Sequence, residues 1–470
     1  MQVFGSIPLG LSRNVSEHLF ILKGVFTLSV SLLRNFAKYA SLNILGMVSV
    51  SCYILADTYF VAHNLGATGL AALNLSIPLY SVIHGIGLMI GIGGATRYSI
   101  LQSQAEQKRA NKVFATALQV GIVIGLLLAL LGLLGSNRLA GWLGADTSTL
   151  AMTRTYLATI LLFAPLFITN NIVQAFVRND HNPRLAMLAM VAGSLSNILL
   201  DYVFMYIFDL GMFGAAFATS LAPLIGLCVL LFHFRSPHRK LAITWEKLKW
   251  KLIPDLFSLG TSALILELSS AAVLITFNLV ILGLEGNFGV AAYGIVANLG
   301  LVAMAVFTGL AQGSQPLISR AHGIKSSRLT RKVRGYALKT ALIMAVLIYL
   351  TVLFYSEQIV AAFNTEQHME ISRLAKQGLS LYFLGFLFLG INIVVTTYLS
   401  ATEQVRDAFF IAMARGFVII IPLVLVLSQV WGMAGVWLAF VFTECAVAVF
   451  TAGASRLGPR NHLKSQEISI

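Results

Sequence analysis

The chain has 470 residues, of which 58% are hydrophobic and 11% are charged, and its mean hydropathy is +0.84. Soluble domains carry about 25% charged residues, so this composition excludes a soluble protein. The apolar residues form long continuous runs along the whole length, which excludes a single anchor and the alternating pattern of a membrane barrel. The formal net charge of +14 is explained by basic loops of a membrane protein, and we expect no nucleic-acid partner.

We predict an all-α membrane protein with twelve spanning helices, because each helix needs about 20 apolar residues to cross the hydrocarbon core. The amphipathic stretch 17–36 contains too many charges to span, and it is predicted to lie at the membrane interface. The twelve predicted spans are 39–62, 70–97, 113–135, 151–177, 185–208, 212–233, 254–283, 289–319, 334–355, 376–401, 407–428 and 433–455.

The Lys and Arg residues test this count, because cytoplasmic loops carry an excess of both. If the N-terminus is cytoplasmic, 27 of the 32 Lys and Arg residues fall in the terminal segments and loops on that side. Four fall on the outer side, and Arg415 lies inside a span. The distribution therefore predicts that both termini are cytoplasmic.

The chain repeats itself at an offset of about 220 residues. Because each repeat holds an even number of spans, the two halves have parallel topology and are related by an axis along the membrane normal, as in several transporters. The matched positions include Gly66 and Gly286, Gly69 and Gly289, Gly93 and Gly313, Asn171 and Asn392, and Gly211 and Gly432.

The repeat and the basic stretch 235–251 divide the chain into segments. We interpret the basic stretch as a solvated loop that contacts lipid headgroups. The predicted segments are an N-terminal cytoplasmic or interfacial segment 1–36, an N-lobe 37–234, a cytoplasmic linker 235–252, a C-lobe 253–456 and a cytoplasmic tail 457–470.

Four acidic residues lie inside predicted spans, where an ionisable side chain is costly and is therefore a candidate for function. Tyr53 precedes Asp57 by four residues, so the two share a helical face and we expect a hydrogen bond between them. Asn197 precedes Asp201 by the same spacing. The four acids are Asp57, Asp201, Glu267 and Glu444.

Amide and hydroxyl side chains accompany the first two acids in the N-lobe. We interpret the group as a cluster whose carboxyls exchange protons, although the same oxygens suit Na⁺. Taken singly, the amides and hydroxyls are equally consistent with hydrogen bonds that hold helices together. His84 is interpreted as a packed core residue in preference to a proton relay. The accompanying residues are Tyr156, Asn171, Gln174 and Thr219.

Three motifs carry a resemblance to a known family: Tyr53-Ile-Leu-Ala-Asp57-Thr58-x-Phe60-Val61, then Asn197-Ile-Leu-Leu-Asp201 with the following Gly211-x-x-Gly214, and Gln312-Gly-x-Gln315-Pro316. They resemble motifs of the multidrug and toxic compound extrusion (MATE) family, and the resemblance covers residues 35–455. The resemblance implies two six-helix lobes around a central cleft. It also implies secondary active export of amphipathic organic cations in exchange for H⁺ or Na⁺, from a bacterial cytoplasmic membrane.

The same resemblance implies a cation-coupling site in the N-lobe. Gln174 departs from the family pattern, which has a shorter amide there. We favour H⁺ over Na⁺, because the N-lobe residues match the proton-coupled pattern position by position. We expect a monomer in contact with membrane lipid, without a cofactor or a metal. The implied coupling residues are Asp57, Asp201, Tyr53, Tyr156, Asn171, Gln174, Asn197 and Thr219.

The C-lobe matches the family less closely. Sodium-linked members carry a Glu on helix 7 and an Asp on helix 10, whereas here Glu267 lies about one turn early and Asn392 replaces the Asp. We expect Glu267 to contact the cationic substrate. Arg415 and Glu444 are expected to pair, either for structure or for function. These four residues are the predicted substrate-binding or second coupling site.

The alternative function is a flippase for a lipid or lipid-linked substrate from the same wider superfamily. Such a protein would concentrate arginine in the cleft, whereas Arg415 is the one basic residue predicted deep in a span. The sequence contains no Walker motif for ATP and no HExxH motif, so we expect neither an ATP-driven pump nor an enzyme. A channel is the third possibility, but paired intramembrane carboxyls suit alternating access better.

Overall fold

The computed structural model describes the backbone of residues 11–237, 239–243, 248–364 and 368–456, and the side chains of these ranges between 31 and 452. Every regular element in these ranges is a helix. Eight helical runs are long and apolar enough to cross a membrane, and Leu150–Leu162 and Ala164–Asn179 form a further span with a 49° bend. Pro165 follows the bend, because its ring nitrogen cannot donate to the preceding turn.

Three of the long runs are each broken at one glycine. Gly66, Gly286 and Gly432 have φ values of 65°, 59° and 56°, in the left-handed region that favours glycine. A side chain at Gly66 would meet no neighbouring atom within 4 Å, so the backbone conformation alone accounts for glycine there. Gly286 is the repeat partner of Gly66, and the sequence repeat is therefore also a repeat of backbone shape.

Divided at these glycines, the described chain forms the twelve spans that the sequence predicts, and a short helix, Ser356–Phe363, precedes the tenth. The spans are α1 (31–65), α2 (67–103), α3 (Gln107–Trp142), α4 (Leu150–Leu162 with Ala164–Asn179), α5 (Pro183–Tyr202 with Val203–Ile207), α6 (Gly211–Leu231), α7 (253–285), α8 (287–323), α9 (Ser327–Phe354), α10 (Met369–Tyr382 with Phe386–Ala401), α11 (405–431) and α12 (433–456).

The N-terminal segment is helical from Leu11 and continues into α1 without a break. Its side chains before residue 31 lie outside the described residues, as do residues 1–10 and the tail 457–470. The interfacial position of residues 17–36 and the cytoplasmic tail therefore stay predictions.

Each lobe has its own apolar core. Phe114 and Phe176 are fully buried in the N-lobe core, which collects residues of α1 to α6. Phe307 and Trp437 are fully buried in the C-lobe core. Such side chains stabilise each lobe through close packing, because lipid tails are as apolar as the core and burial from lipid alone gains little.

The first helix of each lobe also packs against the other lobe. Phe36, at the start of α1, belongs to the C-lobe core, and Leu256, at the start of α7, belongs to the N-lobe core. Both contacts lie at the end of the bundle where residues 236–252 connect α6 to α7, which we call the linker end. The two lobes are therefore held together at this end.

Glycine permits both of these close approaches. A Cβ atom at Gly313 of α8 would lie 2.6 Å from the carbonyl oxygen of Tyr39, and one at Gly93 of α2 would collide with that of Leu256. Gly93 and Gly313 are repeat partners in the sequence. The repeat thus preserves one packing contact between lobes on each side of the pseudo-twofold axis.

Candidate ion-coupling and substrate site

Asp57 of α1 and Asp201 of α5 form a buried acid pair in the N-lobe. The two side chains are 6% and 0% exposed, and their carboxyl groups interact electrostatically. In the orientation that satisfies both ends of its amide, Asn197 donates to Asp201 Oδ2 at 3.1 Å and accepts from the backbone N–H of Thr219 at 3.2 Å. Tyr156 is buried and interacts electrostatically with both acids.

One oxygen of each acid lacks a partner. Oδ1 of Asp57 and Oδ1 of Asp201 are buried and have no hydrogen-bond partner among the described residues. A buried carboxylate oxygen without a donor is costly, because nothing replaces its lost hydration. A proton or a small cation at the pair would supply the missing compensation.

Tyr53 does not make the expected hydrogen bond to Asp57. Its hydroxyl lies 3.1 Å from that of Tyr80 on α2, so this expectation is wrong. The spacing of four residues places the two on one face, but the Tyr53 hydroxyl pairs with that of Tyr80 instead. Tyr53 also lines a pocket, together with Asn171 and Gln174.

Glu267 of α7 lies opposite His84 of α2. The Nδ1 atom of His84 is 3.3 Å from Glu267 Oε2, and the side chains are 23% and 29% exposed. The His84 ring also stacks on Tyr80, with centroids 5.9 Å apart and planes at 6°. His84 is therefore a bridging residue between the lobes, although the sequence suggests a packed core residue.

Arg415, Glu444 and Asn392 form a second buried polar group, in the C-lobe. Arg415 Nε lies 2.6 Å from Glu444 Oε1, and both side chains are less than one-tenth exposed. Asn392 Nδ2 donates to Glu444 Oε2 at 2.8 Å and to the Glu444 carbonyl at 2.9 Å. The expected ion pair between Arg415 and Glu444 is present. Asn392 is expected in place of a helix-10 acid, and in the structure it donates a hydrogen bond to Glu444.

Arg178 is the functional candidate that the sequence interpretation misses. The predicted span 151–177 leaves it in the following loop, whereas it lies in the last turn of α4 and is 2% exposed. Its Nη1 atom donates to Gln312 Oε1 of α8 at 2.8 Å and to Asn43 Oδ1 of α1 at 3.1 Å. Arg415 is therefore not the one buried arginine of the interface. The sequence does single out one of the partners of Arg178, because Gln312 belongs to the third motif of the family resemblance.

One pocket lies between the lobes, and a second lies within the N-lobe beside it; both are lined by Leu88 and Gln312. The C-side pocket has an empty volume of about 750 Å³, and the N-side pocket has one of about 680 Å³. The C-side pocket is lined by Arg178, Glu267, Gln312 and Arg415 among others, and the N-side pocket by Tyr53, Tyr80, His84, Asn171 and Gln174 among others.

A polar network closes the pockets towards the linker end. Arg97 of α2 contacts Asp255 of α7 at 3.0 Å and Glu403, which follows α10, at 2.7 Å. His322 of α8 also contacts Glu403, at 3.1 Å. The hydrogen bond from His322 and the charge of Arg97 lower the pKa of Glu403 against the opposite effect of burial. This carboxylate therefore stays ionised and keeps the lobes joined.

Asn179 adds a second layer to this closure. Its Nδ2 atom donates to Gln315 Oε1 at 3.0 Å, and Gln315 donates in turn to Thr96 Oγ1 at 2.9 Å. Arg320 of α8 donates to the carbonyl oxygen of Asn179. These bonds join α2 and α4 of the N-lobe to α8 of the C-lobe, immediately beyond the pockets.

The linker is fixed to the N-lobe by Asp180, directly after α4. Its Oδ2 accepts from the backbone N–H groups of Lys240 and Leu241 and from His233 Nε2, each at 2.9 Å. Oδ1 accepts from the Tyr98 hydroxyl at 2.8 Å. Burial raises the pKa of Asp180, but the hydrogen bonds outweigh burial and lower it below its ordinary value.

Among the residues that the structure describes, no three acidic, His or Cys side chains are grouped as metal ligands.

Comparison with known families agrees with this arrangement. The MatE family model matches residues 43–203 and 263–426, one stretch in each lobe and more than half of the chain. The chain belongs to the MATE family.

Relatives of this MATE protein match it over nearly their whole length. The multidrug export protein MepA of Staphylococcus saprophyticus is 26% identical over 422 residues, which cover 89% of this chain and 92% of the relative. MepA of Staphylococcus aureus is 28% identical over 400 residues, which cover 84% and 88%.

A solved structure supports the fold. The outward-facing conformation of a multidrug resistance MATE family transporter of the MOP superfamily superposes with a TM-score of 0.85 at 20% identity, covering 91% of this chain and 97% of that chain. At this identity the likeness establishes the fold alone, which is two six-helix lobes around a central cleft.

Proposed function

We propose that this MATE protein exports chemically diverse drugs by alternating access. The C-side pocket lies between the lobes, and the N-side pocket adjoins it at Leu88 and Gln312, so a relative movement of the lobes changes their accessibility. The related Staphylococcus proteins are named multidrug export proteins. With the linker end on the cytoplasmic side of a bacterial inner membrane, the closure around Arg97 and Glu403 is the cytoplasmic gate, and the pockets open outwards.

The coupling ion is H⁺, and the acid pair Asp57 and Asp201 binds it. The observation that carries this proposal is the unpartnered Oδ1 atom on each buried carboxyl. A proton neutralises a carboxyl without any further ligand, whereas Na⁺ is bound by several oxygens. Sodium is the second choice, and Asn392, on the helix where sodium-linked relatives carry an acid, is already bonded to Glu444.

The substrates are amphipathic organic cations. Glu267 is the one acid that lines either described pocket. Two arginines, Arg178 and Arg415, line the C-side pocket with it, and Arg415 is already paired with Glu444. A carboxylate in an apolar cavity compensates the lost hydration of a bound cation. Glu267 is therefore the residue that meets the positive charge, and the N-lobe acids remain available for the proton.

Transport in proteoliposomes tests this function. Purified protein should move an ethidium-like cation uphill when ΔpH is imposed and sodium is absent. Asp57→Asn and Asp201→Asn should each abolish uphill movement, whereas Asp209→Asn, which changes an exposed acid outside the spans, should not. Movement driven by a sodium gradient with ΔpH clamped at zero would overturn proton coupling. Movement of labelled lipid without movement of the cation would favour the flippase alternative.

A further inference from the structure

Arg178 is a buried cation with incomplete compensation. It is 2% exposed, and Nη1 donates to the amide oxygens of Asn43 and Gln312. Its Nε atom is buried and has no acceptor among the described residues. A guanidinium keeps its charge under all physiological conditions, so protonation chemistry cannot relieve this cost.

Arg415, which is also buried, has the counter-charge that Arg178 lacks. Arg415 contacts the carboxylate of Glu444 at 2.6 Å. No carboxylate lies within ion-pair distance of Arg178 in the part of the chain that the structure describes, since its two partners are neutral amides. Amide oxygens satisfy hydrogen bonds but leave the charge without a counter-charge.

Arg178 also faces a space that can hold a ligand. It lines the C-side pocket of about 750 Å³, together with Glu267. This pocket therefore holds a half-buried carboxylate and a buried guanidinium on different helices, α7 and α4. A ligand with both charges would find a partner for each.

We propose that Arg178 forms a subsite for the acidic group of zwitterionic amphipathic substrates, with Glu267 as the partner of their amine. The inference rests on the proposed export function and assigns to Arg178 a role in selecting among its substrates. The planar fork of the guanidinium suits a carboxylate, because charge-assisted hydrogen bonds are among the stronger ones in proteins. The free Nε donor is the group that remains to be satisfied when no substrate is bound.

A purely structural role for Arg178 makes a different prediction. Its two hydrogen bonds join α4 to α1 and α8, so loss of these bonds would loosen the interface and affect every substrate alike. A substrate subsite affects only ligands that carry an acidic group. Asn43→Ala removes one partner, keeps the charge and changes no residue that lines either described pocket, so it is the matched control.

The experiment compares a rhodamine that has a free carboxylate with its methyl ester. The two dyes share shape and xanthylium cation and differ in one negative charge. Binding to purified protein is followed by fluorescence anisotropy in detergent. Arg178→Gln should weaken binding of the carboxylate dye about tenfold or more and leave the ester within about twofold. Arg178→Lys should weaken the carboxylate dye less, since the charge remains.

Equal weakening of both dyes by Arg178→Gln would overturn the subsite and assign a structural role, as would unchanged binding of both. Failure of wild-type protein to bind the carboxylate dye would also contradict it. If Arg178→Gln does not fold, Arg178→Lys decides between the two roles. Only a subsite predicts that Arg178→Lys weakens binding of the carboxylate dye and not of the ester. Dye movement in proteoliposomes is scored separately. Binding of both dyes without export would contradict the transport function and leave the subsite standing.

Discussion

His84 Nδ1 on α2 lies 3.3 Å from Glu267 Oε2 on α7, and this contact crosses the interface between the lobes. The His84 ring stacks on Tyr80, whose hydroxyl lies 3.1 Å from that of Tyr53. Tyr53 precedes Asp57 by one helical turn. A row of polar groups therefore runs from Tyr53, one turn before Asp57, to the carboxylate of the C-side pocket.

We expect His84→Gln to slow proton-driven export at least about tenfold, because glutamine can hydrogen-bond Glu267 but cannot transfer a proton. Binding of a cationic dye should change little, because Glu267 remains. The measurement is the initial export rate in proteoliposomes at a fixed ΔpH, together with dye affinity. His63→Gln is the control, because His63 is exposed and stacks on Tyr59 away from this row. A wild-type rate in His84→Gln would exclude His84 from coupling.

The pair of Arg415 and Glu444 gives a prediction on stability. Glu444→Gln leaves the buried guanidinium of Arg415 without its counter-charge, and we expect unfolding free energy to fall by about 3–5 kcal/mol. The double variant Arg415→Met with Glu444→Leu should recover most of the loss. Thermal unfolding of the detergent-solubilised proteins measures both effects. If the double variant is stable but inactive in export, the pair serves transport and not only structure.

Gly313 gives a prediction on the closure between lobes. A Cβ atom there would lie 2.6 Å from the Tyr39 carbonyl oxygen, so Gly313→Ala should weaken closure at the linker end and lower the melting temperature and the export rate. The control is Gly335→Ala on α9, where a Cβ atom meets nothing within 4 Å and alanine is a better helix former. Equal behaviour of the two variants would show that the close approach is dispensable.

The sequence was sufficient for the helices and for the repeat, because both depend on local patterns. Apolar runs of span length are read directly, and the shared offset identifies Gly66 and Gly286 as equivalent positions. The structure adds that both adopt the same left-handed conformation. The acids Asp57 and Asp201 were also found from sequence, because intramembrane carboxyls are rare and costly.

Contacts between lobes were not predictable in the same way. His84 and Glu267 are far apart in sequence and lie on different lobes, so no spacing rule brings them together. The predicted span 151–177 ends before Arg178 and so places it in a loop. Packing of α1 and α8 against the end of α4 buries it. Local spacing also predicts the wrong partner for Tyr53, because its hydroxyl pairs with Tyr80 of another helix and not with Asp57.

Asp180 gives a prediction on the pH dependence of stability. The carboxylate accepts two backbone N–H bonds from the linker and further bonds from His233 and Tyr98, and no neutral group accepts as many. Asp180→Asn places an amide N–H₂ against these donors, so we expect the melting temperature at pH 7 to fall by several degrees. Asp209→Asn is the control, because that acid is exposed.

The pH profile distinguishes the charge of Asp180 from its shape. Its pKa in the folded protein is lower than its ordinary value of 3.8, so the carboxylate stabilises the folded state at all pH values above 3.8. That contribution is lost as the pH falls through the lowered pKa, because the proton then removes the acceptor charge. The difference in melting temperature between wild type and Asp180→Asn should therefore be constant from pH 7 to about pH 5 and shrink below about pH 4. A difference that persists unchanged below the folded-state pKa would mean that Asp180 acts through packing, and that its charge does not hold the linker.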